Sequence, residues 1–95
     1  MLTVRYVGLA KSLSGVEEEV ISESVGSLKD VLEILSARHG GAIGDALVSN
    51  GYTHVGQLMI EMNGRSLRLE DANEIKIDGS VAALSIFVIP TVVGG

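Results

Sequence analysis

The stretch "SLKDVLEILSARHGG" (residues 27–41) decides the fold, because it is the clearest helix of the chain. Ser27 is a good N-cap, and Asp30 stands where a capping box places its acid. Apolar side chains recur at i, i+3, i+4 and i+7 and give the helix one apolar face: Leu28, Val31, Leu32 and Leu35. The last turn is basic, and Gly40 suits the C′ position, so a helix ending near residue 39 is predicted.

Two strands are predicted before this helix. In "LTVRYV" (residues 2–7) Leu2, Val4 and Tyr6 share one face, as in a half-buried strand. The charged stretch "VEEEVISES" (residues 16–24) indicates a second strand at a solvated edge. Turn residues in "KSLSG" (residues 11–15) separate the two, which predicts an antiparallel hairpin.

The strands after the helix are shorter and less regular. "AIGDALVSNGY" (residues 42–52) favours a short second helix, and "QLMIEM" (residues 57–62) a strand that leads into a tight turn at Asn63 and Gly64. One or two short strands are expected in residues 66–79. "VAALSIFVI" (residues 81–89) is apolar on both faces, which predicts a central last strand that Pro90 ends.

This order of elements predicts an α+β fold, with a mixed sheet of four to five strands over one main helix. The helix provides a crossover, which permits parallel pairing of the first and last strands. A length of 95 residues suits one domain over residues 1–95, with a flexible C-terminal tail at residues 90–95.

Composition excludes several classes of function. The net charge of −5 and the three aromatic residues argue against nucleic-acid binding, and the absence of cysteine excludes disulfides and thiolate chemistry in this chain. Apolar runs are too short for a membrane helix, and the N-terminus lacks the layout of a cleaved signal. We therefore expect no membrane partner and a cytoplasmic location.

No catalytic or metal-binding constellation stands out inside the predicted fold. His39 and His54 have no second metal-type residue at ligand spacing, so a helix-end and a loop role are favoured. The acidic clusters at residues 17–19 and 70–71 are interpreted as solvated faces or turns.

The C-terminal "IPTVVGG" (residues 89–95) is the remaining candidate. Gly94 and Gly95 lack Cβ atoms, so they can pass through a narrow channel in conformations that other residues cannot adopt. Val92 and Val93 favour extension. The six residues from Pro90 onward can span about 20 Å, which predicts an extended segment that presents the Gly95 carboxylate to a partner.

Several motifs together resemble the β-grasp, ubiquitin-like sulfur carriers, and most closely the small subunit of molybdopterin synthase. They are "VRYVGLAKSLSG" (residues 4–15), the helix, "IEMNGR" (residues 60–65) and "DGSVAALSIFVIPTVVGG" (residues 78–95). The likeness covers nearly the whole chain, and the Gly-Gly with a proline shortly before it is its specific part. Ile89 replaces the usual aromatic residue and Thr91 the usual second proline.

The resemblance implies a role for the Gly95 carboxylate. An activating enzyme would adenylate it with ATP, a sulfur donor would convert it to a thiocarboxylate, and the sulfur would pass to a pterin precursor in the synthase large subunit. The chain would then be non-catalytic alone, with no bound cofactor and no metal. A monomer alone and a two-plus-two complex with the large subunit are expected from the same likeness.

A docking surface is predicted beside the tail. If Leu84, Ile86 and Val88 face the core, Phe87 and Ile89 face outward, where parallel pairing of the first and last strands would bring Val7 beside one or the other of them. The predicted partner-binding residues comprise these outward side chains and the tail before the glycines: Val7, Phe87, Ile89, Pro90, Thr91, Val92 and Val93.

Three alternatives stay open from the sequence. The chain could carry sulfur for thiamin thiazole synthesis, or act as a ubiquitin-like modifier conjugated through Gly95 to lysines of other proteins. It could also be an interaction module with an inert tail. The partners, rather than the terminus, distinguish these functions.

Overall fold

A mixed six-stranded sheet forms one layer of the protein in a computed structural model, which describes residues 1–91. The strands are β1 (Leu2–Tyr6), β2 (Glu18–Ile21), β3 (Tyr52–Thr53), β4 (Gly56–Met62), β5 (Arg65–Arg68) and β6 (Ala83–Pro90). Their order is β2-β1-β6-β4-β3, and β5 pairs with β4 beside β3. The predicted α+β class with a mixed sheet is confirmed.

The helices are α1 (Leu9–Ser14), α2 (Leu28–His39) and α3 (Gly41–Leu47), with a 3₁₀ helix at Leu69–Glu74. The predicted main helix is α2, and its capping box is present. The Asp30 amide donates to Ser27 Oγ at 3.2 Å, and the Ser27 amide donates to Asp30 Oδ2 at 3.2 Å. These two bonds satisfy backbone donors that a helix start leaves without partners, so α2 begins where the sequence predicts.

The first and last strands pair in parallel, with Val4 opposite Leu84 and Tyr6 opposite Ile86. On its other side β6 pairs antiparallel with β4, and Ile86 lies opposite Ile60. The chain between β1 and β6 includes α2, which packs on the inner face of the sheet and provides the crossover that parallel pairing needs. The predicted central position of the last strand is confirmed.

One apolar core fills the space between the inner face of the sheet and the helices. Its largest fully buried side chains come from β1, β2, α2, α3, β4 and β6: Val4, Ile21, Leu28, Val31, Leu35, Leu47, Leu58, Ile60, Leu84 and Ile86. The four apolar positions predicted for α2 are all buried. Inward residues alternate with outward residues along β6, so this strand also contributes side chains to the outer face of the sheet.

Two local predictions need correction. The predicted turn at residues 11–15 is largely the helix α1, which buries Ala10 and ends at Gly15. The sheet has six strands rather than four to five, partly because β3 has only two residues and is too short to show alternation. The prediction of one or two short strands within residues 66–79 is met by β5, and the 3₁₀ helix that follows it buries Leu69 and Ala72.

Within residues 1–91, no helix is long and apolar enough to cross a membrane. Pro90, the first residue of the predicted tail, is the last residue of β6. Residues 92–95 lie outside the described part of the chain.

Candidate functional site: the outer sheet face

Apolar side chains gather on the outer face of the sheet where β6 ends. Phe87 and Ile89 alternate with the inward residues of β6, and the Val7 amide donates to the Ile86 carbonyl at 2.9 Å. This bond continues the pairing of β1 with β6 by one residue and sets Val7 beside Phe87, as predicted. Val7 is 51% exposed and Ile89 49% exposed, while Phe87 is half-buried.

A fourth member of this surface is Met59 of β4, which the sequence interpretation missed. Met59 lies opposite Phe87 in the antiparallel register, and cross-strand partners point to the same face of a sheet. Its neighbours Leu58 and Ile60 are fully buried, so the half-buried Met59 points outward. The alternation in "QLMIEM" contained this signal, since it leaves one apolar residue on the polar face. Val7, Met59, Phe87 and Ile89 are called the outer apolar patch below.

Charged side chains around the patch are paired with one another. Arg5 Nε lies 3.7 Å from Glu18 Oε2, and Lys11 Nζ lies 3.7 Å from Glu17 Oε2. All four side chains are more than half exposed, so each pair contributes little to stability. An apolar centre with a polar, solvent-accessible rim is the usual anatomy of a docking surface.

The patch lies beside the point where the chain leaves the sheet. Ile89 pairs with Gln57, and Pro90 lies opposite Gly56 at the beginning of β4. Pro90 and Thr91 are exposed. The structure thus brings together five of the predicted partner-binding residues: Val7, Phe87, Ile89, Pro90 and Thr91. Their role in docking stays a prediction. The remaining predicted site residues lie outside the described part of the chain: Val92, Val93, Gly94 and Gly95.

A hydrogen-bonded cluster joins β1, β2 and the end of α2 on the opposite, inner side of the sheet. Glu19 Oε2 accepts from the Tyr6 hydroxyl at 2.7 Å and lies 2.6 Å from His39 Nε2. The Tyr6 and His39 rings meet edge to face, with centroids 5.6 Å apart. Arg38 Nη1 donates to Glu19 Oε1 at 3.2 Å and to the Val20 carbonyl at 2.9 Å.

These contacts shift the pKa of two groups. Burial would raise the pKa of Glu19, but hydrogen bonds from Tyr6, His39 and Arg38 outweigh it and hold the pKa below its usual value. Burial and the Glu19 carboxylate raise the pKa of the Tyr6 hydroxyl far above its usual value. Tyr6 therefore stays neutral, and Glu19 stays ionised at neutral pH.

The cluster corrects one interpretation and refines another. Glu19 was assigned to a solvated acidic face, yet its side chain is only 15% exposed because it lies opposite Val4 on the inner face. His39 does end α2 as predicted, but it also contacts β1 and β2. Across residues 1–91, no group of three or more histidine or acidic residues could hold a metal ion.

The other titratable candidates, His54 and Glu70, have exposed side chains. His54 is exposed between β3 and β4, as predicted for a loop residue. Glu70 is also exposed, and its Oε1 accepts from Arg68 Nη1 at 3.2 Å.

The described architecture is shared with a solved structure from Pyrococcus furiosus, provisionally named molybdopterin converting factor, subunit 1. The two chains are 21% identical and superpose with a TM-score of 0.57 over 96% of this chain and 97% of that one. The chain has a β-grasp fold. The resemblance drawn from the sequence motifs is thereby confirmed at the level of the fold. No protein-family model and no curated protein sequence matches the chain.

Proposed function

We propose that this β-grasp protein is a sulfur carrier in molybdopterin synthesis. Its Gly95 carboxylate would be adenylated, converted to a thiocarboxylate, and inserted into the large subunit of a molybdopterin synthase. The observation that carries the proposal is the outer apolar patch, which lies beside the end of β6 only a few residues before Gly94 and Gly95. The name of the Pyrococcus furiosus structure supports the same pathway.

The patch suits the docking half of this function. Its side chains project from three strands of the sheet or their ends, so their relative positions are fixed before a partner arrives. Apolar surface that is already ordered gains the hydrophobic contribution of burial without a large entropic cost. A partner bound on the patch would lie within reach of the segment that begins at Pro90, because its six residues can extend to about 20 Å.

The terminal glycines suit the chemical half. A carboxylate is a poor acyl donor until one of its oxygens becomes a leaving group. Attack of the carboxylate on the α-phosphorus of ATP gives an acyl adenylate and releases pyrophosphate. Hydrosulfide then attacks the acyl carbon, AMP leaves, and a thiocarboxylate remains. The protein itself contributes the acyl group and the docking surface, while the activating enzyme contributes the catalytic groups.

The test is the intact mass of the purified chain after incubation with the adenylating enzyme of molybdopterin synthesis, ATP, Mg²⁺ and sodium sulfide. We expect a mass gain that corresponds to one oxygen replaced by sulfur. Deletion of Gly95 is the matched control and should abolish the gain. An unchanged mass, with no adenylate detected, would contradict the proposal.

The same reaction can be extended to separate the open alternatives. The thiocarboxylated chain is mixed with a molybdopterin synthase large subunit and the pterin precursor. Loss of the added sulfur together with formation of dithiolene product supports molybdopterin synthesis. A ladder of higher-mass conjugates in a cell extract, without such transfer, would favour a ubiquitin-like modifier instead.

A further inference from the structure

We propose that Gly56 is a positioning residue that fixes where the C-terminal segment leaves the sheet. Gly56 is the first residue of β4, is buried, and lies directly opposite Pro90, the last residue of β6. It is neither part of the outer apolar patch nor close in sequence to the glycines at the C-terminus. The inference rests on the proposed function, because it concerns how the same Gly95 carboxylate is presented.

The contact between the two backbones at this point is closer than any other residue type allows. A Cβ added to Gly56 would lie 2.8 Å from Pro90 Cα, 2.8 Å from Val88 Cγ1, and closer still to the Ile89 carbonyl oxygen. Two of these three neighbours are backbone atoms, so rotation of a side chain cannot remove the overlap. The φ angle of Gly56 is +148°, which adds strain for any residue with a Cβ.

Gly56 is itself held from the other side. The Thr53 hydroxyl donates to the Gly56 carbonyl at 2.7 Å and accepts from the Val55 amide at 3.3 Å. Thr53 also pairs with Gly56 across the short β3–β4 turn. These bonds brace the beginning of β4 against movement away from β6.

The end of β6 is less well held than the beginning of β4. The parallel pairing with β1 covers β6 residues 83–86, and the Val7 amide extends it to the Ile86 carbonyl. From Phe87 to Pro90, the register shows β4 as the strand neighbour of β6. A side chain at residue 56 would therefore displace the end of β6, together with the residues that follow it.

This displacement matters if the segment after Pro90 enters a partner in a nearly extended form. Six residues reach at most about 20 Å, so a segment close to full extension has no slack to absorb a shift at its origin. A shift at Pro90 is then passed on to the Gly95 carboxylate. Misplacement of a reacting group by about 1 Å can lower a rate about 100-fold.

The experiment compares Gly56→Ala with Gly51→Ala in the full chain. Gly51 is a matched control, because it has a φ angle of +84° and an added Cβ would lie 2.9 Å from the Leu58 carbonyl. Gly51 directly precedes β3 and so lies at the end of that strand farther from Pro90. Both variants are studied at a temperature at which circular dichroism shows them folded. The readout is ATP–pyrophosphate exchange by the adenylating enzyme, with kcat and KM measured separately.

We expect Gly56→Ala to lower kcat about tenfold or more, because the carboxylate is misplaced, and to change KM by a smaller factor, because only the Phe87 and Ile89 part of the docking patch shifts with the end of β6. Gly51→Ala should retain wild-type kcat. In parallel, NMR amide shifts should change between residues 87 and 91 in Gly56→Ala but not in Gly51→Ala. Equal kcat for the two variants would overturn the inference.

Two further arms keep the result decisive. If Gly56→Ala does not fold, Thr53→Val is measured in its place. This substitution removes the hydroxyl that braces Gly56 without adding an atom near Pro90, and it should lower kcat about threefold. A kcat equal to that of the wild type would overturn the inference. If the wild-type chain shows no exchange, the proposed function fails, whereas NMR changes confined to residues 87–91 would still support the structural role of Gly56. Unchanged shifts there would overturn it.

Discussion

Truncation of the outer apolar patch tests most directly whether this face docks a partner. Val7 and Ile89 keep about half of their side-chain surface exposed, at 51% and 49%. Complete burial of a valine or isoleucine contributes about 1.5–3 kcal/mol, so the exposed half of each offers roughly 1 kcal/mol to an interface. Val7→Ala or Ile89→Ala should therefore weaken binding to a synthase large subunit about fivefold.

The assay is isothermal titration calorimetry of each variant with the large subunit. Val48→Ala provides the matched control, because Val48 is 54% exposed but lies at the end of α3. The three truncations remove similar buried and exposed surface, so their thermal unfolding midpoints should fall by similar amounts. Their dissociation constants should not change alike.

The double variant Val7→Ala/Ile89→Ala makes the prediction stricter. If the two contributions add, binding should weaken about 25-fold, and the negative heat-capacity change of association should become smaller because less apolar surface is buried. An unchanged dissociation constant would refute the argument. So would a loss as large in Val48→Ala, since the effect would then come from stability rather than from docking.

Three other predictions concern the structure that holds the patch. Glu19→Gln should lower stability at neutral pH, and the urea midpoint of the variant should fall less steeply than that of the wild type as the pH is lowered. The reason is that the pKa of Glu19 is lower in the folded than in the unfolded state. Its stabilising contribution is therefore present above the unfolded pKa and is lost as the pH falls through the folded pKa. If the urea midpoint of Glu19→Gln depended on pH as that of the wild type does, a stabilising role for the Glu19 carboxylate would be contradicted. Ser27→Ala should cost about 1 kcal/mol in urea unfolding by removing the α2 cap, and the exposed Ser24→Ala should cost much less. Ile86→Ala should cost about 2–5 kcal/mol in the same assay, because Ile86 is fully buried in the central strand; a loss below 1 kcal/mol would mean that the core is packed differently.

The sequence by itself determined the elements whose signals are local. The capping box at Ser27, the apolar face of α2 and the alternation in β1 each depend on residues that are close together in the sequence. The turn at Asn63 and Gly64 is of the same kind, and both residues have positive φ angles. Such signals specify an element before its neighbours are known, which is why the fold class could be predicted from the order of the elements, together with a crossover that permits parallel pairing of the first and last strands.

Only the tertiary structure decided which distant residues meet. Glu19, in a run of three acidic residues, becomes the partly buried partner of Tyr6 and His39 because the β1–β2 register turns it inward. Met59 joins the patch because it lies opposite Phe87.

Gly56 meets Pro90 only because β4 and β6 pair in one antiparallel register, although the two residues are far apart in sequence. A shift of one residue in a strand register would reverse which side chains face outward, and the alternation within one strand does not show which residue of a distant strand lies opposite. Local physics thus determined the elements of this protein, and packing between them decided the composition of the docking face and the origin of the C-terminal segment.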